Sequence, residues 1–230
     1  MVHTLPARTD CDKLKCTWKL EEQALRAGWR LVAGCDEVGR GALLGPLYAA
    51  AVILDPAQPI PGVDDSKKLT PRERESLAQQ ITEKALAFQV VSLSAAEVDA
   101  LNVYEASRQG MIRAVLGLDP APEFILTDAM PLVGSPKAAA FLIPHRAVVH
   151  GDALSVSIAA ASILAKVARD AHLRELDRLY PQYGLAMNKG YGTRKHLEAL
   201  AVYGPCAEHR KTYQPVKDYL LPLFLFSGAP

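Results

Sequence analysis

The segment DEVGRGALLGP (36–46) separates two apolar runs of strand length, LVAGC (31–35) and LYAAAVIL (47–54). Its three glycines and one proline forbid a continuous helix, so the chain is committed here to two strands and a loop. Helix signals begin further on. Thr70-Pro71-Arg72-Glu73 combines an N-cap, a proline in the first turn and a glutamate three residues after the cap, predicting a helix to about residue 86. Phe88 to Leu93 reads as a third strand. Ser94 with Glu97 repeats the capping pattern, and Val103, Ala106, Met111, Ala114, Val115 and Leu118 recur at helical spacing, predicting two helices. Glu123 to Thr127 predicts a strand ending at Asp128, and Ala147 to His150 another ending at Gly151-Asp152. From Ser155 to about Tyr180 the pattern is helical, with Ala159, Ala160, Ala161 and Ala165 forming a small-residue surface suited to close packing on a sheet, until Pro181 stops it. Thr193 caps a last helix to about Val202, which Gly204-Pro205 ends.

A block of strands followed by alternating strands and helices predicts an α/β fold, a mixed sheet flanked by helices. With 230 residues, half of them hydrophobic, the chain can bury a full core without disulfides or a structural metal. Cys11, Cys16, Cys35 and Cys206 lack paired spacing, which predicts free thiols. No apolar run approaches the roughly 18–20 residues of a membrane span, and the N-terminus lacks the apolar stretch of a signal peptide. The cytoplasm is the expected location.

Functional groups of α/β sheets gather where strands end, and Asp36, Glu37, Asp128 and Asp152 all lie at such points. Any one of them alone reads equally well as a cap or turn former. The tandem Asp36-Glu37 is harder to dismiss, because unpaired charge at the exit of a buried strand is costly. Together the four would repel one another unless a divalent cation neutralised them, and Mg²⁺ or Mn²⁺ suits oxygen ligands. Asp64-Asp65, beside Lys67 and Lys68, reads instead as a charge-balanced turn. Gly39, Gly41 and Gly45 fit no nucleotide-loop spacing, but they permit close backbone approach to a ligand, with Arg40 adding charge for a phosphate.

Six segments, GCDEVGRGALLGPLYAAAVIL (34–54), DDSKKLT (64–70), LTDAM (126–130), HGDALSVSIAAASILAKVARD (150–170), NKGYGTRKH (188–196) and HRKTYQPV (209–216), resemble in order the signature blocks of the ribonuclease HII family. The resemblance implies a ribonuclease H-like fold with a small C-terminal helical extension. Residues 1–30 would form an N-terminal head, and residues 31–230 a catalytic domain with a substrate-contacting segment at about 187–217. It further implies an endonuclease, acting as a monomer, that cuts RNA in RNA–DNA hybrids and nicks DNA duplexes 5′ of single embedded ribonucleotides. Two-metal-ion hydrolysis would leave 3′-hydroxyl and 5′-phosphate ends. By the same resemblance Asp36, Glu37, Asp128 and Asp152 are the catalytic, metal-binding residues, with Mn²⁺ or Mg²⁺ as cofactor. Gly39, Arg40 and Gly41 would contact the 2′-hydroxyl, and Tyr191 would pack on the sugar at the junction.

Lys67 and Lys189 are candidate substrate contacts inside matched blocks, and Lys166, Arg169, Arg194 and Arg210 are further candidates for phosphate. Asp170, next to Arg169 on a predicted helix, reads as a member of an intrahelical or interhelical ion pair, and His196 and His209 read as groups that cap or pack near the basic loop. Cys35, Ala129 and Asn188 depart from the family pattern, Ala129 standing where glycine is commoner. Two alternatives are a non-catalytic hybrid-binding protein, which the four intact carboxylates disfavour, and a type-three ribonuclease H preferring long hybrids, which the short N-terminus disfavours. The net charge of +1 excludes only indiscriminate coating of nucleic acid, since residues 187–217 hold six Lys and Arg against two Asp and Glu.

Overall fold

A computed structural model describes residues 15–133 and 141–220. Its elements run α1 (Lys19–Arg26), β1 (Val32–Val38), β2 (Leu47–Ile53), α2 (Pro71–Lys84), β3 (Ala87–Leu93), α3 (Ala95–Leu101), α4 (Val103–Leu116), β4 (Phe124–Asp128), β5 (His145–Val148), α5 (Val156–Leu179), α6 (Leu185–Asn188) and α7 (Arg194–Tyr203). The strands form one mixed sheet in the order β3-β2-β1-β4-β5. β1 is antiparallel to β2, and β2 to β3, whereas β4 runs parallel to both β1 and β5. The expected α/β architecture is present. Among the described residues no helix is long and apolar enough to cross a membrane.

Strand alternation sorts the core into two layers. Ala33 and Cys35 of β1 join Ala49, Ala51 and Ile53 of β2 against Met111, Ala114 and Val115 of α4. On the opposite face Ala50 and Val52 meet α5 through Ala160, Ala161 and Ile163, and α2 through Leu77 and Ile81. The predicted caps form: Thr70 with Glu73, and Ser94 with Glu97, make reciprocal capping boxes, and Thr193 accepts from His196 N; Ser155, where the long helical pattern begins, also caps its helix, accepting from Ile158 N. Asn102, at φ 65°, breaks the chain between α3 and α4 and caps the second of them.

The small-residue face of α5 does what its composition predicts. Just before it, in the first turn of α5, a Cβ built on Gly34 would lie 2.0 Å from Ser157 C and 2.3 Å from Ile158 N. The backbones of β1 and α5 are thus in direct contact, which only glycine permits.

Some boundaries differ from the sequence expectation. β1 does not stop at Cys35 but continues to Val38, because β2 goes on pairing with it (Asp36 with Ala50, Glu37 with Ala49) after the β1–β4 ladder has ended at Cys35 and Thr127. Asp36 and Glu37 are therefore strand residues, lying where the sheet has lost one neighbour. The last strand begins two residues early, at His145, and ends at Val148. At the N-terminus, residues 1–14 lie outside the described region, but Thr17 and α1 dock on the start of α5. Buried Glu21 there accepts from the Ser155 hydroxyl and from Ser157 N. Residues 221–230 of the apolar tail, which by composition suits packing on the body or binding a partner, also lie outside the described residues.

The contact at Gly34 yields a sharp expectation. Gly34→Ala should cost at least about 3 kcal/mol, beyond ordinary overpacking, since neither backbone can yield as a side chain does. Urea unfolding checks this, and a loss under about 1 kcal/mol would contradict the seating of α5 described above.

Candidate active site

The parallel pairing of β1 and β4 sets Cys35 beside Thr127, so Asp36 and Asp128 follow at the same level of adjacent strands. β5 pairs Val148 with Asp128, and the short 3-10 turn Gly151–Ala153 then carries Asp152 back to the same edge. Glu37 follows Asp36. The four expected carboxylates are thus gathered at the C-terminal end of the parallel strands, as in other open α/β sheets. Asp36, Glu37 and Asp128 line a cavity of about 310 Å³ together with Lys67, Lys166 and Tyr191.

Each carboxylate has at least one oxygen engaged. Asp36 Oδ1 accepts from Glu37 N at 2.7 Å, Asp128 Oδ1 from Gly151 N at 2.8 Å, and Asp152 Oδ2 from Lys67 Nζ at 2.7 Å. Glu37 Oε1 lies 3.5 Å from Arg40 Nη1. Burial, reinforced by the charges of Glu37 and Asp128, raises the Asp36 pKa well above the carboxylate range. Burial also pushes Glu37 to about 7, against the pull of Arg40, and raises Asp128 with help from the Asp152 charge. Burial works against the Lys67 ammonium, yet its hydrogen bond and charge contact with Asp152 outweigh that and raise its pKa.

Among the described residues no group of three or more His, Cys, Asp or Glu is arranged to hold a metal ion. The donor chemistry nevertheless fits a hard divalent cation. All donors are oxygens, they are buried and they repel one another, and a single divalent charge relieves that repulsion better than protons do.

Facing the carboxylates is the loop 39–46. It is held from beneath by two arginines that the sequence reading offered as phosphate contacts. Arg169, wholly buried, donates to Pro46 O (2.9 Å), Lys189 O (3.0 Å) and Leu44 O (3.5 Å). Arg210, equally buried, donates to Gly45 O (3.0 Å) and Arg40 O (2.8 Å), and Tyr213 OH adds a bond to Arg40 O at 2.8 Å. Both are structural clamps rather than phosphate ligands, because a guanidinium is the side chain able to satisfy several buried carbonyls at once. Gly39 takes φ 97°, and a Cβ there would meet Arg169 Nε at 2.3 Å. Gly190, at φ 78°, brings the Tyr191 segment against Leu44, where its Cβ would lie 2.3 Å from Leu44 O. A Cβ on Gly41 would lie 3.9 Å from the Tyr191 ring, so the loop and the ring face one another.

Tyr191 is 38% exposed, with the Arg169 guanidinium 5.6 Å from its ring centroid. Lys189 donates to Ala186 O at 2.7 Å, and Lys166 pairs with Asp170 at 2.7 Å. Asp170 thus forms the intrahelical ion pair expected of it, with Lys166 four residues before it. Residues four apart share a helix face, whereas neighbours point in different directions. Arg194 is exposed, pairing with Glu198 at 3.4 Å. Asn188 orders the turn before Tyr191, donating to Tyr183 O at 2.6 Å and accepting from Gly190 N at 2.8 Å. Ala129 adopts φ 48°, which explains why glycine suits that position.

Two serines went unnoticed in sequence. Ser162 of α5 reaches the Asp36 carboxylate, and Ser66 holds Ser162 at 3.0 Å between hydroxyl oxygens. Their only signal was position, Ser66 within DDSKKLT and Ser162 as a polar break in an alanine-rich helix. Asp65, expected in a solvated turn, is buried and accepts from Lys67 N at 2.9 Å, shaping the loop that carries Lys67.

Comparison with known proteins converges on one family. The family model for ribonuclease HII matches residues 33–216. The ribonuclease HII of Solibacter usitatus (strain Ellin6076) is 48% identical over 226 residues, covering 94% of this chain and 96% of its own. Among solved structures, ribonuclease H2 from Pyrococcus horikoshii OT3 superposes with a TM-score of 0.69 at 27% identity, covering 83% of this chain and 97% of its own. Bst-RNase HIII in complex with Mn²⁺ shares the fold, with a TM-score of 0.64 at 19% identity over 96% of this chain and 74% of its own.

The raised proton affinity of the cluster has a measurable consequence. Protons stabilise carboxyls whose folded pKa is raised, so that stabilisation is lost as pH climbs from the unfolded range near ~4 through about 7 at Glu37. In chelator at pH 8, Asp36→Asn should melt above the parent by roughly 2–4 °C, the effect of about 1 kcal/mol in a chain of this size, with the gap closing towards pH 5. Mg²⁺ or Mn²⁺ should raise the parent's melting point more than the variant's. A parent that melts above the variant at pH 8 in chelator would contradict this electrostatic account.

Proposed function

Because the chain belongs to the ribonuclease HII family and is accordingly a ribonuclease H, we propose that it hydrolyses the phosphodiester on the 5′ side of a ribonucleotide. Its substrates are RNA–DNA hybrids and single ribonucleotides embedded in duplex DNA, and its product ends are 3′-hydroxyl and 5′-phosphate. The observation that carries this reading is a single cavity bounded by buried carboxylates on one side and by Tyr191, facing the glycine loop, on the other. All of these groups come from one chain, so a monomer suffices.

Asp36, Glu37, Asp128 and Asp152 would hold Mg²⁺ or Mn²⁺, which supplies Lewis acidity at the phosphate and offsets charge on the departing 3′-oxygen. Ser162, backed by Ser66, keeps the Asp36 carboxylate oriented for that task. Lys67, whose side chain is 77% exposed, stands beside Asp152 as a cation available to the phosphate. Lys189 would reach a phosphate by exchanging its bond to the Ala186 carbonyl.

Selection for ribose falls to Gly39, Arg40 and Gly41. Arg210 and Tyr213 fix the Arg40 carbonyl from behind, which leaves the loop rigid before substrate arrives. A rigid polar loop rejects deoxyribose because it loses the partner a 2′-hydroxyl would provide, at about 1–3 kcal/mol for each buried polar group left unpaired. Tyr191, braced by Arg169, packs on the sugar and reports whether DNA follows the ribonucleotide.

Incubation with a duplex carrying one ribonucleotide, in Mg²⁺ or Mn²⁺, tests this directly. The parent should nick 5′ of the ribonucleotide, and Asp128→Asn should lose at least about 100-fold, as expected for a ligand whose loss removes a bound ion. Tyr191→Ala should lose more on this duplex than on a long hybrid. The reading fails if the parent leaves the duplex intact in both metals, or if Asp128→Asn cuts undiminished.

A further inference from the structure

Behind Tyr191 lie two imidazoles that the proposed chemistry does not use. His196 (α7) and His209 are 0% and 1% exposed, and their Nε2 atoms are 3.2 Å apart. At one end His209 Nδ1 accepts from Cys206 N at 3.0 Å, with Cys206 Sγ at 3.2 Å. At the other, His196 Nδ1 is 3.0 Å from Tyr191 O. These contacts fix every proton. A backbone N–H can only donate, so His209 Nδ1 is an acceptor and the neutral ring carries its hydrogen on Nε2. That hydrogen points at His196 Nε2, which must accept, leaving the His196 hydrogen on Nδ1 to donate to the Tyr191 carbonyl. Burial lowers the pKa of both rings, His209 to about 4, which keeps the neutral forms this arrangement needs.

We propose that Cys206 N–H, His209 and His196 form a one-way hydrogen-bond relay whose output is the Tyr191 carbonyl, making His196 and His209 positioning residues for the tyrosine ring at the ribose. The inference rests on the reading of Tyr191 given above. Mere satisfaction of the carbonyl does not require the relay, since Thr193 N already donates to it at 2.8 Å. The second donor instead fixes the direction of a peptide that follows two residues with positive φ, Lys189 (55°) and Gly190 (78°), and carries a part-exposed ring. Tyr183 walls the relay in, its ring edge-on to His209 at 4.8 Å and its hydroxyl donating to Gly204 O at 2.7 Å. Two stacked leucines would fill the same space without desolvating any polar group.

The test joins spectroscopy to a substrate comparison. In ¹⁵N-histidine-labelled parent protein at pH 7, His196 should be the Nδ1–H tautomer and His209 the Nε2–H tautomer. His196→Leu should lose about tenfold on the single-ribonucleotide duplex and less than about threefold on a long hybrid, tenfold being the worth of roughly one well-placed hydrogen bond. His196→Asn, whose amide nitrogen replaces Nδ1, should recover most of the loss. The inverted tautomer at His196, equal losses on the two substrates, or no recovery by His196→Asn would each overturn the relay. If the leucine variant does not fold, the tautomer measurement on the parent still decides. Failure of the parent to nick the single-ribonucleotide duplex would instead overturn the reading of Tyr191, and this inference with it, whatever the tautomers.

Discussion

The seating of α5 on β1 is the constraint on which the rest of the molecule depends. With no side chain at Gly34, the helix lies against the strand backbone, and residues along its inner face then fall at fixed stations. Ser155, Ser162, Arg169 and Leu176 are spaced by seven residues, or roughly 10.5 Å per step. They reach in turn the Glu21 carboxylate, the Asp36 carboxylate, the carbonyls of Leu44, Pro46 and Lys189, and the apolar cluster around Tyr183. One continuous helix therefore sets the distance between the acidic edge and the glycine loop.

Much of this frame was legible in sequence. The capping residues Thr70, Ser94 and Thr193 declare themselves through local hydrogen bonding that needs no tertiary context. Asp128 and Asp152 stood out because strand ends are visible as changes in hydrophobic period. Direction was not legible. Nothing in a sequence says whether an arginine faces water or the interior, and Arg169 and Arg210 turn inward because the loop they hold supplies four carbonyls, and the Tyr191 segment a fifth, with few other donors. The extent of β1 was hidden for a related reason, since it depends on how far β2 accompanies it. The contact of Glu21 with Ser155 spans 134 residues, beyond any local pattern.

The inward arginines also revise the charge argument. Of the six cations at 187–217, Arg210 is consumed by backbone carbonyls, and Lys189 is bonded to one. Fewer free cations therefore remain on this segment than the count implies.

The Glu21 contact bears on how the chain matures. Asp36 and Glu37 leave the ribosome early, but the serines that pair with Glu21, and the helix they begin, follow more than a hundred residues later. The acidic edge therefore remains open through most of synthesis and closes only when α5 arrives to complete the sheet's second face. Until that helix is made, Asp36 lacks its contact with Ser162, and the face of the sheet carrying Ala50 and Val52 has no α5 to cover it.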